Sequence, residues 1–359
     1  MKHLAPKQFD HNQQDKIGVL LINLGTPEKP DAKHVRPYLK EFLSDTRVVE
    51  IPKVIWWFIL NLIILPFRSK RSAHAYQSIW QKDGSPLFVY SKRLVDKIAD
   101  KFDSNKVVVK LAMRYGQPSV DSQITELQAL GATKLLVLPM YPQYSATTSA
   151  STFDAVARSL MNKRRIPELR FINNYHDNEL YINALANSVK AHWQQHGKAD
   201  KLLLSFHGIP KRNWDLGDPY ACECYKTSRL LAEKLELAKE DVITTFQSRF
   251  GKAEWIKPYT DATLKSLPSK GVESIQVMCP GFSVDCLETL EEIAIENKAY
   301  FISAGGTSFQ YIDCLNDTDE HVDVLEHLIN RHCSQWSTAI DNDRRSEIKQ
   351  EVENLRAEI

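Results

Sequence analysis

The sequence predicts an α/β protein built from two parallel sheets that are covered by helices. Short apolar segments rich in β-branched residues alternate with helical patterns along most of the chain, which is typical of parallel sheets with helices on both faces. The strand candidates fall into two groups of four. The chain has 359 residues, of which 43% are hydrophobic and 25% charged, so it is long enough to bury two ordinary cores. We therefore expect two doubly wound halves.

Each element follows from its local pattern. Short apolar runs predict strands at 17–24, 107–111, 134–139, 169–172, 201–206, 242–246, 273–278 and 299–303. Helical periodicity predicts helices at 119–130, 178–196, 220–237 and 285–297. The turn-forming sequence NNYHDN places the join between the halves near 173–178. We expect an N-terminal half at 1–173, a C-terminal half at 174–335 and a charged helical tail at 336–359.

A long insert at about 27–103 contains an apolar segment, VIWWFILNLIILPF at 54–67. A helix of this length spans roughly 20 Å, which is short of the roughly 30 Å hydrocarbon core of a bilayer. Two interpretations remain: a buried core helix, or an interfacial patch that dips into a membrane. Two indoles and a basic run favour the patch, because indoles and cations suit the headgroup layer. These residues are Trp56, Trp57, Arg68, Lys70 and Arg71.

Charge and cysteine content narrow the function classes. Lys and Arg number 46 against 45 Asp and Glu, so a general role in nucleic-acid binding, which needs an excess of basic residues, is disfavoured. The polar N-terminus has no apolar core typical of a secretory signal. The six cysteines are therefore expected to be reduced thiols in the cytoplasm.

The loops that follow the predicted strands indicate the type of ligand. In open α/β sheets ligands bind beyond the carboxyl ends of the strands, where this chain has NLGTPE, MRYGQP, MYPQYSATTS, SFHGIP, QSRFG and CPGFSVD. These loops are rich in aromatic residues and sparing in charge, which suits a large flat apolar ligand. Neither a G-x-G-x-x-G fingerprint after a strand nor a Walker A sequence is present, which disfavours nucleotides.

His207 is the most informative histidine, because it follows an apolar strand and precedes Gly208 and Pro210. At that position it can accept a proton or bind a metal, although a hydrogen bond within the loop would also explain it. His192 and His196 have an i,i+4 spacing that can bind zinc, but no third ligand is evident.

Three carboxylates, Asp285, Glu288 and Glu292, recur at a spacing of three and four residues in CPGFSVDCLETLEEI. A capping box explains Asp285 and Glu288, but it leaves Glu292 unexplained. Three carboxylates on one helix face destabilise one another unless protons or a cation lie among them. The stripe therefore predicts either a helix cap or one wall of a site for protons and metal.

The chain closely resembles ferrochelatases of Gram-negative bacteria, from NLGTPE to about residue 328. The resemblance rests on MRYGQP, LPMYPQYSATT, SFHGIP, GDPY, TFQSRFG, EWIKPYTD and CPGFSVDCLETLEEI in that order. It implies a chelatase fold of two similar Rossmann-like domains with a porphyrin cleft between them. It also implies insertion of Fe²⁺ into protoporphyrin IX to form protohaem, the terminal step of haem biosynthesis.

The resemblance assigns roles by position. His207 and Glu288 correspond to the catalytic histidine and acid of the family and are the implied metal-binding residues, and Asp285 and Glu292 belong to its proton or metal path. The residues that fall where the family lines or supports the porphyrin cleft are Leu24, Ser85, Arg114, Tyr115, Tyr144, Trp255 and Phe282. We favour His207 as the proton acceptor, with Glu288, Asp285 and Glu292 passing protons or metal. The reverse assignment stays open, because residue types alone do not decide it.

The resemblance also bears on partners and cofactors. It implies peripheral membrane contact through residues 54–71, on the inner face of the cytoplasmic membrane, and transient contact with the preceding oxidase. Cys286 stands where some relatives have histidine, and the cysteine-rich extension that ligates a [2Fe–2S] cluster in animal enzymes is absent. We expect no cluster and no cofactor beyond substrate Fe²⁺.

Two alternatives remain. One is a related chelatase that acts on coproporphyrin or sirohydrochlorin, although the apolar lip argues against these more acidic tetrapyrroles. The other is a non-catalytic porphyrin or haem carrier, which would need an axial ligand but no acidic stripe, so that Glu292 discriminates against it.

Overall fold

The computed structural model describes residue 3 and residues 14–251, 253–336 and 342–358. Within these residues the chain forms two four-stranded sheets, and every strand pairing in them is parallel. The strands are β1 Lys16–Gly25, β2 Val107–Tyr115, β3 Ala132–Pro139, β4 Glu168–Phe171, β5 Lys201–His207, β6 Val242–Gln247, β7 Ser274–Met278 and β8 Ser308–Ile312. Their orders are β2-β1-β3-β4 and β6-β5-β7-β8. The predicted fold class is confirmed.

Helices connect and cover these strands. The α-helices are α1 Ala32–Leu43, α2 Lys53–Phe58, α3 Leu65–Ile79, α4 Pro86–Ala99, α5 Val120–Ala129, α6 Ser151–Met161, α7 Glu179–His196, α8 Lys211–Asp215, α9 Tyr220–Lys234, α10 Thr260–Ser266, α11 Lys298–Ser303, α12 Asp319–Cys333 and α13 Asn342–Glu358. Segments of π-helix occupy Ile59–Ile64, Ala146–Ala150 and Glu288–Asn297, and short 3₁₀ turns occupy Lys239–Asp241 and Pro268–Lys270.

The predicted strand at 299–303 is wrong, since these residues belong to α11 and the last strand is β8. Four of these five residues are apolar or aromatic, and so short a run does not distinguish a period of 2 from a period of 3.6. Phe301 is fully buried against Gly306, where an added Cβ would lie 2.1 Å from its ring. The Gly-Gly turn at 305–306 therefore follows a helix and precedes the strand.

The main apolar core is shared by the two halves, because buried residues of β1 and β3 belong to the same cluster as those of β5 and α12. Hydrogen bonds also join the halves at the carboxyl ends of the strands. The Ser283 hydroxyl donates to the Met140 carbonyl at 2.5 Å, and the Tyr144 backbone N–H donates to Glu223 at 2.7 Å. The division at 173 and 174 stays a prediction, and the predicted tail is helical over α13, with residues 337–341 and 359 outside the described residues.

The long insert forms a small core of its own over the end of the first sheet. Residues of α1 and α3 pack there with Leu60 and with Tyr115 from the end of β2. The outer surface of the same insert is apolar and exposed: Val54 is 73% exposed, Leu62 64% and Phe67 76%. The segment is therefore not a fully buried core helix, because much of its apolar surface is exposed. Trp56 is the exception, because its indole N–H turns inward and donates to the Leu43 carbonyl at 2.6 Å.

In the described part of the chain, no helix combines the length and the apolar composition needed to cross a bilayer.

Candidate active site

The acidic segment begins where β7 ends, and its helix starts later than predicted. The π-helix runs over Glu288–Asn297, so Asp285 precedes it. The predicted capping box is wrong, because the Asp285 carboxylate accepts hydrogen bonds from side chains rather than from the first backbone N–H groups. Tyr311 and Thr289 donate to its Oδ1 at 2.6 and 2.8 Å, and Asn316 donates to Oδ2 at 2.6 Å. Asp285 is 2% exposed and anchors this end of the segment.

Glu288 lines a small cavity between the two halves, together with predicted residues of the first half. The lining consists of Leu24, Gly25, Thr26, Tyr38, Tyr76, Ile79, Ser85, Pro86, Leu87, Cys286, Leu287 and Glu288. Its free volume of about 10 Å³ is enough for about one water molecule. The structure thus brings Glu288 together with Leu24 and Ser85.

Two phenols that sequence reasoning missed face Glu288 in this cavity. Burial, together with the negative charge of Glu288, raises the pKa of Tyr38 and of Tyr76 well above the ordinary value. The Tyr38 hydroxyl donates to the Gly25 carbonyl at 3.1 Å, whereas the Thr26 hydroxyl is buried without a hydrogen-bond partner among the described residues. Both tyrosines therefore remain neutral hydroxyl groups. The sequences of α1 and α3, which carry them, did not indicate a functional site, apart from lying in the long insert.

Glu292 lies one helical turn beyond Glu288 and is held by the loop after β6. Its Oε1 accepts the Ser248 backbone N–H at 2.7 Å, and its Oε2 accepts the Ser248 hydroxyl. Burial is the largest influence and raises the pKa of Glu292 to about 7, although the bonds from Ser248 partly offset it. A carboxyl group of this kind can gain and lose a proton near neutral pH.

His207 is the last residue of β5, which extends one residue beyond the strand predicted to end at 206. Its Nδ1–H donates to the Gly208 carbonyl at 2.6 Å, which leaves Nε2 as the acceptor nitrogen of the neutral ring. Trp255 backs this loop, because it is buried and lies 3.1 Å from the position of a Cβ on Gly208. The hydrogen bond within the loop, which was the alternative explanation for His207, is therefore present. It leaves Nε2 available to a ligand.

Arg114 and Tyr115 lie outside the cavity that contains Glu288. The Arg114 guanidinium pairs with Asp45 and donates through Nε to the Ser151 hydroxyl at 2.7 Å. The Tyr115 hydroxyl donates to Asp45 at 2.8 Å, and its ring is 1% exposed. In this structure the polar groups of both residues are engaged by Asp45 and Ser151, so they stabilise the first half and are not free to bind a ligand.

The other predicted residues lie on the second half and at the junction. Phe282 is partly buried and packs against the cores of the second half. Tyr144 is partly buried in the loop between β3 and α6, where Glu223 holds its backbone. Neither residue lines the small cavity.

Arg68, predicted to face the headgroup layer, turns toward the second half. Its guanidinium lies 5.4 Å from the centre of the Phe250 ring. Burial lowers the pKa of Arg68, and the negative charge of Glu288 partly offsets this effect. Within the described part of the chain Arg68 forms no direct ion pair with a carboxylate. A desolvated guanidinium that makes no direct ion pair can bind a ligand carboxylate.

The cysteines are separate thiols. Cys222 is exposed, and Cys224, Cys279, Cys286, Cys314 and Cys333 are buried. Among the described residues, no group of three or more His, Cys, Asp or Glu is arranged to hold a metal ion. Burial raises the pKa of the Cys286 thiol, and Glu288 adds to the effect, so this thiol is neutral beside the acid. His192 is hydrogen-bonded to Gln310 at 3.2 Å.

Comparison with known proteins shows the family of the chain. The ferrochelatase family model matches residues 16–333. The ferrochelatase of Pseudoalteromonas atlantica is 53% identical over 355 residues and that of Idiomarina loihiensis 52% identical, each covering 98% of both chains. Among solved structures, the sirohydrochlorin chelatase SirB from Bacillus subtilis subspecies spizizenii, in complex with cobalt, matches with a TM-score of 0.53 at 11% identity, over 91% of this chain and 100% of that one. This last likeness concerns the fold, which is that of the chelatases. On the family match and the identity over nearly its whole length, the chain belongs to the ferrochelatase family.

Proposed function

We propose that this chain inserts Fe²⁺ into protoporphyrin IX and forms protohaem. In the balanced reaction one Fe²⁺ enters the macrocycle, two pyrrole N–H bonds break and two protons are released. The observation that carries the proposal is full-length identity of 53% to a ferrochelatase, combined with a histidine and an acid at the carboxyl ends of adjacent strands β5 and β7.

His207 is the proposed acceptor of the pyrrole protons. Its Nδ1–H is engaged by the Gly208 carbonyl, so Nε2 is the nitrogen that can take a proton from a ligand above the strand ends. Glu288 is the proposed partner on the other side, where it binds the incoming Fe²⁺ or passes the second proton. Imidazole and carboxylate both bind Fe²⁺ and both transfer protons near neutral pH.

The proposed proton or metal path continues from Glu288 to Glu292. A pKa of about 7 lets Glu292 take up a proton without a large energetic cost. Asp285 contributes differently, because three side-chain donors already occupy its carboxylate. We propose that Asp285 fixes the start of the acidic helix and that Glu288 and Glu292 carry the exchangeable charge.

The macrocycle is proposed to bind at the mouth of the small cavity, since about 10 Å³ cannot admit it. Leu24 and Ser85 line the inner wall, and Phe282, Trp255 and Tyr144 support or border the second wall. Arg68 provides a cation for a propionate of protoporphyrin, because its guanidinium forms no direct ion pair among the described residues and senses Glu288 only at longer range. Bending of the ring between two rigid walls would expose a pyrrole lone pair to the metal.

The exposed apolar face of residues 54–67 is proposed to contact the cytoplasmic membrane at its inner face. Its exposed aliphatic and aromatic side chains suit the acyl boundary, and the exposed Lys70 and Arg71 suit anionic headgroups. Protoporphyrin is poorly soluble in water, so the same face is the proposed site of contact with the preceding oxidase. We propose no [2Fe–2S] cluster, and an iron–sulfur absorption band in the purified protein would contradict this.

An anaerobic assay of haem formation tests the proposal. The protein is given Fe²⁺ with protoporphyrin IX, coproporphyrin or sirohydrochlorin at equal concentrations. We expect multiple turnovers with protoporphyrin and a lower kcat/KM with the two more acidic tetrapyrroles. Preference for either of those would favour the related chelatase, and binding without turnover would favour the carrier.

A further inference from the structure

Gln247 joins the two sides of the proposed site. It is the last residue of β6 and pairs in register with His207 at the end of β5. Its backbone carbonyl accepts the Gly208 N–H at 2.8 Å, so it fixes the turn that follows His207. Its side chain is 3% exposed and points away from that turn toward the acidic helix.

The carboxamide of Gln247 is hydrogen-bonded at both ends. Its Oε1 accepts the Ser205 hydroxyl at 2.7 Å, which ties it to β5. Its Nε2 donates to the Glu288 carbonyl at 2.7 Å and, at 3.4 Å, to Oε2 of Glu292. One side chain therefore connects the strand that carries His207 with the backbone of Glu288 and the carboxylate of Glu292.

Ser248, the next residue, also contacts the acidic helix, and it has an uncommon backbone conformation. Its φ of 64° lies in the left-handed region, which is unfavourable for residues other than glycine. In this conformation both its N–H and its hydroxyl donate to Glu292. The position has a strained backbone and a direct contact with an acid of the site, a combination typical of functional loops.

We propose that Gln247 and Ser248 are positioning residues that hold Glu288 and Glu292 at a fixed separation from His207. The inference rests on the proposed function. Its physical basis is that a π-helix is rare and is often found at functional sites, and Gln247 donates a hydrogen bond to the carbonyl of its first residue, Glu288. Loss of this bond lets Glu288 shift relative to His207 while the strands and the walls of the cleft stay in place.

Gln276 offers a matched control. It is a buried glutamine at 2% exposure on β7, the neighbour of β5, and its Nε2 donates to the Gly197 carbonyl at 2.8 Å and to Gln310 at 2.7 Å. Methionine has a similar shape and cannot replace these bonds. Gln247→Met and Gln276→Met thus remove comparable buried carboxamides, only one of which touches the acidic helix.

The test compares kcat and KM for anaerobic iron insertion, normalised to the folded fraction from thermal unfolding. For Gln247→Met we expect kcat to fall about 10- to 100-fold with the porphyrin KM within about twofold, since a small misplacement of reacting groups has effects of this size. For Gln276→Met we expect both constants to stay near the wild-type values. A kcat for Gln247→Met above half of wild type, or an equal loss in Gln276→Met, would overturn the proposal.

A second pair of variants separates the hydroxyl from the backbone of Ser248. Ser248→Gly removes the hydroxyl and the strain, whereas Ser248→Ala removes the hydroxyl alone. We expect kcat to fall in both, and to fall further in Ser248→Gly because the loop gains conformational freedom. Unchanged kcat in both variants would overturn the role of Ser248. If the wild-type protein inserts no metal, the proposed function fails instead, so the two failures are distinguishable.

Discussion

Replacing Glu292 by glutamine should change how the stability of the protein depends on pH. The folded protein holds the carboxyl group with a pKa of about 7 instead of 4.5, chiefly because the group is buried. A raised pKa means that the folded state binds the proton more tightly than the unfolded state does. The resulting stabilisation is complete below about pH 4.5 and is lost as the pH rises through about 7.

The magnitude follows from the size of this pKa difference. A rise from 4.5 to about 7 corresponds to about 3 kcal/mol, because one pKa unit is worth about 1.4 kcal/mol. Glutamine has no charge to lose, so Glu292→Gln is free of this dependence. The free energy of unfolding of wild type minus that of Glu292→Gln should therefore decrease by about 3 kcal/mol between pH 4.5 and pH 8.

Urea unfolding at several pH values measures this difference. Glu233→Gln is a suitable control, because Glu233 is exposed on α9 and pairs with Arg229 at the surface. Its difference from wild type should stay within about 0.5 kcal/mol over the same range, as is usual for surface pairs. A wild-type minus Glu292→Gln difference that stays constant with pH would refute the argument that burial controls this carboxyl group.

Other substitutions test separate parts of the site. Asp285→Asn should lower the free energy of unfolding by about 2–4 kcal/mol in urea titrations, because its N–H₂ would replace one carboxylate oxygen and face the buried donor of Asn316 or the donors of Tyr311 and Thr289; a loss below about 0.5 kcal/mol would contradict an anchoring role. Phe67→Glu should reduce co-sedimentation with anionic vesicles severalfold, whereas Met161→Glu, on an equally exposed side chain elsewhere, should not; equal binding by both would contradict the proposed membrane face. Arg68→Ala should raise the KM for protoporphyrin about tenfold in iron insertion with little change in kcat, through loss of a charge-assisted hydrogen bond; an unchanged KM would remove Arg68 from the site.

The fold was largely predictable because each strand of a parallel sheet is a short apolar run followed by a turn. Seven of the eight predicted strands coincide with strands of the structure. The eighth failed because Phe301 and its neighbours continue a helix whose first part is π-helical, and local pattern does not distinguish the two cases. The π-helix itself could not be predicted from its local sequence. It is accompanied by contacts from a distant loop, such as that of Gln247 with Glu288, which a local pattern does not contain.

The positions of the candidate acids and the candidate histidine in the fold were predictable, whereas the contacts that support them were not. His207 and Glu288 are placed by the strand ends that precede them, a rule that operates on sequence alone. Tyr38, Tyr76 and Gln247 reach the site from distant helices and strands, and only tertiary packing brings them there. For Asp285 the local pattern was misleading. Its spacing indicated a helix cap, but its carboxylate accepts hydrogen bonds from Tyr311 and Asn316, which follow β7 in the chain.

Anaerobic iron insertion by His207→Ala and by Glu288→Ala, measured with protoporphyrin binding in parallel, tests the central claim most directly. The claim is that these two residues act on the pyrrole protons and the metal, rather than hold the macrocycle. Each variant should form haem at least about 100-fold more slowly than wild type, while its Kd for protoporphyrin, from fluorescence quenching, stays within about threefold. Near-normal turnover in either variant, or loss of porphyrin binding equal to the loss of turnover, would contradict it.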